Sequence, residues 1–320
     1  MSTSHPIKAV ARLTGLSPFV IRIWEQRYGA VKPRRTGTNR RLYSDEQVER
    51  FKLLRAVTQG GRNIGLVAQW TTQKLRKHAA EASSPPPPPN QATTPPASPV
   101  ETLTQECVVA MKALDARGFD DALKRGAMAL GTMGLLQRVV APLTQMIGEL
   151  WIEGGITVAH EHLASSVLRA FLLNAVRPFG ETRHSPRLVV ATPAGQIHEL
   201  GALLVGALAA QLDWQITYLG ASLPAPEIAG AARQSRARAV ALSVVYPEDD
   251  PRLSGELMLL RELLPANIAI LTGGRASPAY HDALHKIGAV PIGDLSDLAT
   301  KLEALRKPAP TVSIRKRAPK

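Results

Sequence analysis

The sequence predicts three architectures in one chain: a helical domain with a helix-turn-helix pattern and a wing, a four-helix bundle, and an α/β unit on a doubly wound parallel sheet. Three observations predict them. Positive charge is concentrated in residues 1–80, a proline run interrupts the chain at 85–89, and from residue 188 onward apolar runs alternate with helical periods four times. The 320 residues, 45% of them hydrophobic, are enough to bury two or three separate cores. Cys107 is the single cysteine, which excludes an internal disulfide. No amino-terminal stretch has the pattern of a signal peptide and no apolar run is long enough to span a bilayer, so the expectation is a soluble cytoplasmic protein.

The net charge of +13 is unevenly distributed. Residues 1–80 hold 16 Lys/Arg against 4 Asp/Glu, and residues 307–320 hold 5 against none, so the segment between is net acidic. A strongly basic domain on an acidic body predicts a polyanion as partner of that domain. The basic tail reads as a solubilising segment.

The first helix is expected over Ile7 to Leu13, ending at Thr14-Gly15-Leu16. Ser17-Pro18 then supplies an N-cap and a proline at the first helical position, opening a second helix from Phe19 to Arg27. In that helix Val20, Ile23, Trp24 and Arg27 share an inward face, leaving Arg22 and Gln26 to point outward toward a major groove. Val31 to Tyr43, broken by Pro33, Gly37 and Asn39 and rich in Lys/Arg, fits a two-stranded basic wing. Further helices are expected from Ser44 through Thr58 and over Ile64 to Lys77. Residues 81–100, with Pro85 to Pro89 at their centre, form a proline-rich linker.

Ile21-Arg22-Ile23-Trp24-Glu25-Gln26-Arg27-Tyr28-Gly29, followed by Pro33-Arg34-Arg35 and Arg40-Arg41-Leu42-Tyr43, resembles the winged helix-turn-helix of the MerR family over residues 5 to about 78. The resemblance implies double-stranded operator DNA as partner, a recognition helix at 18–27, wing contacts from Arg34, Arg35, Arg40 and Arg41, and a phosphate contact from Tyr43. A lone Trp at helical spacing usually packs, and Trp24 is assigned to the core.

Beyond the linker, Thr102 to Arg117, Phe119 to Leu130, Leu135 to Trp151 and Ile156 to Pro178 show helical apolar spacing, separated in part by Gly131, Gly134, Gly154 and Gly155. They predict the bundle, over 101–182. Strands at 188–192, 215–219, 239–245 and 268–271, each followed by a helix, predict the sheet over 183–306. In such a fold functional loops lie past the carboxyl ends of strands, where His198, Ser243 and Gly273-Gly274 fall.

A loop imidazole with a glycine close by suits a metal carried in a macrocycle. Bundle plus sheet resembles cobalamin-binding domains over about 101–300. The family's lower-ligand motif, an acidic residue, any residue, His, two more and Gly, is matched at His198 and Gly201, with Gln196 in the acidic place. The resemblance implies His198 as the cobalt ligand, and Ser243, Gly273 and Gly274 along the groove for the cofactor's nucleotide tail. Gln196 is expected to accept from the imidazole N–H through its amide oxygen, without the charge of a carboxylate.

Trp151, nine residues, then Glu161-His162 completes the pattern. Alone it reads as a packed Trp and a solvated pair; beside the other motifs it resembles the CarH and LitR group of cobalamin-dependent light-sensing regulators. That resemblance implies adenosylcobalamin as cofactor with Trp151, Glu161 and His162 around its upper face, a homo-oligomer (dimer or tetramer), and repression in the dark, with carotenoid or photoprotection genes as targets. Members that trap cobalt between two histidines carry the second directly after the tryptophan, where this chain has Ile152. The expected function is a cobalamin-responsive transcriptional repressor with no catalytic turnover. Alternatives from the same residues are a corrinoid-carrying methyl-transfer component, which leaves the basic domain unexplained, and a regulator that no longer uses cobalamin.

Overall fold

The computed structural model describes residues 4–16, 18–26, 28–36, 40–59, 62, 64–82, 98–176 and 185–306. The core of the linker, the basic tail, and Gly37 and Asn39 of the wing lie outside the described residues. The chain divides into two compact units, Met1–Ala122 with Pro142–Val167, and Leu123–Ala141 with Leu168–Lys320, so the helical segment contributes to both.

In the first unit, strand β1 (Ser4–Pro6) leads into α1 (Ile7–Thr14) and α2 (Pro18–Gln26), followed by β2 (Arg34–Arg35), β3 (Arg41–Ser44), α3 (Asp45–Gln59), α4 (Ile64–Val67) and α5 (Thr72–Ala82). Gly15, at φ +68°, ends α1, and its N–H returns to the Ala11 carbonyl. A Cβ there would lie 1.9 Å from Arg55 Nη1, which donates to the Thr14 carbonyl at 2.6 Å, so glycine makes this tight turn possible. The wing is an antiparallel sheet in the order β1-β3-β2, with His5 opposite Tyr43 and Arg35 opposite Arg41. This corrects the expected two strands: the extended Ser4-His5-Pro6 segment adds a third. Trp24, Tyr43, Phe51 and Leu54 are fully buried in one apolar cluster with Val10, Ile21 and Leu75, and the Tyr43 ring meets Phe51 edge-on at 5.9 Å. Trp24 is therefore a core residue.

The helical segment comprises α6 (Pro99–Lys112), α7 (Ala116–Leu135), a π-helical turn (Leu136–Val140), α8 (Ala141–Ile152) and α9 (Val158–Val176). A reciprocal capping box opens α6: Glu101 N–H donates to Ser98 Oγ and Ser98 N–H to the Glu101 carboxylate. Gly131, at φ 69° and ψ 161°, breaks α7 where the sequence predicts a boundary. At Gly134, the other expected break, the helix runs on.

The sheet belongs to the second unit: β4 (Arg187–Pro193), α10 (Leu200–Gln211), β5 (Gln215–Leu223), α11 (Ala225–Gln234), β6 (Ala239–Ser243), α12 (Leu253–Leu263), β7 (Ala269–Gly273), a 3-10 turn, α13 (His281–Lys286), β8 (Val290–Pro291) and α14 (Leu295–Arg306). The strand order is β5-β4-β6-β7-β8 and its pairs are parallel. Alternate residues serve opposite faces: Val189, Ala191 and Val240 pack with Ile228, Leu257 and Leu284, whereas Leu188, Val190 and Ala239 pack with Leu208, Trp214 and Leu298. That is double winding, as predicted. β8 and α14 go beyond the predicted elements, β8 because two residues carry no readable period. Neighbours β4 and β6 leave the sheet in opposite directions, so a crevice opens past their carboxyl ends.

Candidate functional site

The loop after β4 carries His198 and is tied down from several sides. Thr192 Oγ1 donates to the Gln196 carbonyl and accepts from Ser222 N–H at 2.8 Å, while Gly195 N–H donates to Ser222 Oγ at 3.0 Å. Gly195 takes φ +84°, and a Cβ there would lie 2.7 Å from Asp250 Oδ2. His198 is exposed, with its ring edge-on to Tyr246 at 6.0 Å between centroids.

Gln196 does something other than predicted. It is fully buried, its amide oxygen accepts from Val245 N–H at 2.8 Å and Tyr246 N–H at 2.9 Å, and its Nε2 donates to the Pro247 carbonyl at 3.2 Å. Both lone pairs of that oxygen are engaged, which corrects the expected bond to the His198 imidazole. Gln196 clamps the loop after β4 to the loop after β6.

The next side chain, Glu199, accepts from Arg169 Nε of α9 at 2.5 Å and from the Tyr218 hydroxyl of β5. Burial works against the Glu199 carboxylate, but the bonds from Tyr218 and Arg169 and the Arg169 charge outweigh it and hold its pKa below the usual carboxylate value. Sequence spacing gave no hint of this network, whose members lie on a helix, a loop and a strand.

Gly201 and Ser243 are brought together: a Cβ at Gly201 would lie 2.6 Å from Ser243 Oγ. Gly274, at φ +104°, abuts the Val244 backbone, where a Cβ would lie 2.3 Å from the carbonyl oxygen, and the Gly273 carbonyl accepts from Val244 N–H. Gly274 therefore makes room for the loop after β6.

In the first unit, Trp151 lies in the last turn of α8 and Gly154 forms the turn at φ +76°. Thr157 N–H donates to His160 Nδ1 at 3.1 Å at the start of α9, a capping role for that histidine. His162 Nδ1 lies 2.7 Å from Glu161 Oε2, and Ser165 Oγ donates to Glu161 Oε1 at 2.7 Å, so Glu161 and His162 form a pair with His162 largely exposed. Ile152 is buried and its carbonyl accepts from Trp24 Nε1 at 2.9 Å.

On the DNA-binding side, Arg22 and Gln26 are exposed on α2, and Arg34, Arg35 and Arg40 are exposed along the wing. Tyr43 and Arg41 depart from prediction. Tyr43 is fully buried and donates to Glu25 Oε2 at 2.9 Å, while Arg41 Nε donates to both Glu25 oxygens at 3.0 and 2.9 Å. Burial, then the bond to Glu25 and its charge, push the Tyr43 pKa well above the usual phenol value. A phenol committed to a carboxylate inside the core cannot reach a phosphate, so Tyr43 and the Arg41 Nε brace the wing against α2 instead.

Among the described residues no group of three or more His, Cys, Asp or Glu side chains could hold a bare metal ion. A single exposed imidazole suits instead a metal whose equatorial positions are filled by its own macrocycle, so the donor set at His198 fits a corrinoid. A winged helix-turn-helix joined to a corrinoid-type sheet defines a DNA-binding regulator with a cofactor domain. Comparison with known proteins agrees. The MerR HTH family regulatory protein model matches residues 6–74, and two B12 binding domain models match 103–173 and 186–297. The HTH-type transcriptional repressor CarH of Myxococcus xanthus is 30% identical over 287 residues, covering 89% of this chain and 93% of that protein. The HTH-type transcriptional repressor CarA of the same organism is 29% identical over 287 residues, covering 88% and 91%. The Methanosarcina barkeri monomethylamine corrinoid protein shares the fold at TM-score 0.50 and 15% identity, over 63% of this chain and 98% of that one. This chain belongs to the MerR-type helix-turn-helix regulators that carry B12-binding domains; it is a transcriptional regulator rather than an enzyme. No described helix is long and apolar enough to cross a membrane.

Proposed function

We propose that the chain is a cytoplasmic, adenosylcobalamin-dependent, light-responsive repressor that acts as a homo-oligomer on double-stranded operator DNA. The observation that carries this reading is the exposed His198 on a braced loop at the sheet's crevice, in a chain that opens with a winged helix-turn-helix. His198 is the cobalt ligand; Gly201, Ser243, Gly273 and Gly274 shape the crevice; Trp151, Glu161 and His162 attend the upper face. Arg22 and Gln26 read the major groove while Arg34, Arg35 and Arg40 hold phosphates. Repression is supported by the names of the two Myxococcus relatives. When bound, the cofactor supplies a cobalt–carbon bond that light breaks, chemistry that is its own.

Aerobic reconstitution with adenosylcobalamin, followed by absorption spectra in the dark and after illumination, tests the reading. Retention of the cofactor and a light-dependent spectral change are expected. Because Ile152 offers no ligand, the spectrum after light is expected to lack the signature of a second imidazole. Absence of binding would overturn cobalamin dependence, and binding without a light-dependent change in operator affinity would overturn light control.

A further inference from the structure

The turn between α8 and α9 touches a part of the chain more than a hundred residues away. Trp24, on the recognition helix, donates Nε1–H to the Ile152 carbonyl at 2.9 Å in a buried bond. A Cβ at Gly154 would lie 2.9 Å from Leu16 Cδ2 and 3.1 Å from Trp24 Cζ2, so the bare glycine is where the helix-turn-helix seats. Around this seat lies a cavity of about 360 Å³ lined by Leu16, Val20 and Arg55 from one side and Trp151, Gly154 and Ile156 from the other. Arg55 also fixes the α1–α2 turn through the Thr14 carbonyl. Arg22 and Gln26 stay exposed, so this contact leaves the DNA-reading face open.

We propose that the Ile152–Gly154 turn is a docking surface for the chain's own helix-turn-helix, and that Trp151, lining the shared cavity, makes that docking respond to events at the sensor. The recognition helix is then held by the sensor turn directly within one protomer. Ile152 contributes its backbone carbonyl, a group any residue there would offer, while Gly154 contributes the absence of a side chain. The response to the sensor rests on the functional reading above; the docking rests on the Trp24–Ile152 bond and the close approach at Gly154.

Amide hydrogen exchange on the full-length, cofactor-free protein tests the docking. Gly154→Ala adds a methyl into Leu16 and Trp24 at a left-handed backbone position. Gly131→Ala also places a methyl at a positive φ, +69°, with nothing within 4 Å, and serves as the control. Exchange in residues 14–26 is expected to rise about tenfold in Gly154→Ala and to stay at the wild-type rate in Gly131→Ala. Wild-type exchange over 14–26 in Gly154→Ala would overturn the docking. If protection of strand 187–193 were also lost, the variant would have misfolded, and Trp24→Phe, which removes the N–H and keeps an aromatic ring, decides instead: faster exchange over 150–158 supports the docking and an unchanged rate overturns it. For the response, dark and illuminated cobalamin-loaded protein are compared over 14–26. A difference present in wild type and lost in Trp24→Phe is expected. No difference in wild type, or one that persists in Trp24→Phe, would overturn the response. Failure to bind cobalamin at all, seen by absorption, would overturn the functional reading and the response together and leave the docking standing on the cofactor-free result.

Discussion

The loop that carries His198 and the turn that follows Trp151 are built in opposite ways. The first is braced across the sheet: Thr192 and Ser222 hold its start, Gln196 ties it to the loop after β6, and Glu199 is gripped from α9 and β5. In the second, Gly154 N–H returns to the Trp151 carbonyl, Gly155 N–H to the Leu150 carbonyl, and Thr157 pairs with His160, all bonds spanning a few residues, supplemented by the long reach of Trp24. A loop pinned by long-range bonds is preorganised, whereas a turn shaped by local bonds moves more cheaply. The difference suits the roles proposed above, a fixed ligand on one and the moving part of a switch on the other.

The largest expected break in that contrast is His198→Ala. Loss of the ligand is expected to weaken cobalamin retention by about a hundredfold or more, with the braced loop still in place. His281→Ala, an exposed histidine on α13, is expected to leave retention unchanged. Spectral titration of the two variants checks this; equal retention would make His198 an ordinary loop residue.

Gln196 sharpens the comparison next. Gln196→Ala strands two backbone N–H groups and a carbonyl, and a loss of ~2–4 kcal/mol of stability is expected from uncompensated buried polar groups. Gln196→Glu keeps the acceptors but sets a carboxylate oxygen against the Pro247 carbonyl and buries a charge, so it too is expected to destabilise, by ~1–3 kcal/mol. Urea unfolding of both measures the clamp. A Glu variant as stable as wild type and tighter for cobalamin would restore the sequence expectation that position 196 serves the imidazole.

That expectation shows what the sequence could and could not carry. Helical periods and apolar runs placed most of the helices and four of the five strands of the parallel sheet, because burial writes itself into spacing; α14 was missed, and the one helix expected over Ile64 to Lys77 is divided into α4 and α5. His198 and Ser243 were singled out by their positions relative to strands, and Gly201 by the motif of the resemblance. The partners of Gln196, Glu25 and Glu199 were not, since a hydrogen bond between residues 196 and 245, or 25 and 43, leaves no local period. Tyr43 illustrates the cost: the family resemblance implies a phosphate contact for it, and burial beside Phe51 gives it to Glu25 instead.

The wing supplies a third test at moderate size. Arg34→Ala is expected to reduce the slope of log affinity against log salt by about 0.9 for the phosphate it no longer neutralises. Tyr43→Phe is expected to leave that slope unchanged and to lower stability by ~1 kcal/mol through the lost bond to Glu25. Operator binding across a salt series and thermal unfolding separate the two; a reduced slope in Tyr43→Phe would return the tyrosine to the phosphate backbone.

The smallest expected effect concerns the acid limb of stability and the grip on Glu199. Its pKa is lower in the folded chain than its ordinary value of 4.5, so its ionised form contributes stability that is present above that value and lost as pH falls through the lowered one. Arg169 is half exposed, and solvent screens much of the pair, which keeps the contribution small. Wild type is therefore expected to lose slightly more stability than Glu199→Gln as pH falls from just above 4.5. Added salt should narrow the gap, because part of the bond is coulombic. Melting temperatures of both proteins over that range, at low and high salt, read it directly. Parallel curves would mean that Arg169 and Tyr218 hold Glu199 no more tightly than water does, and the braced loop would then owe its rigidity to Gln196 and Thr192 alone.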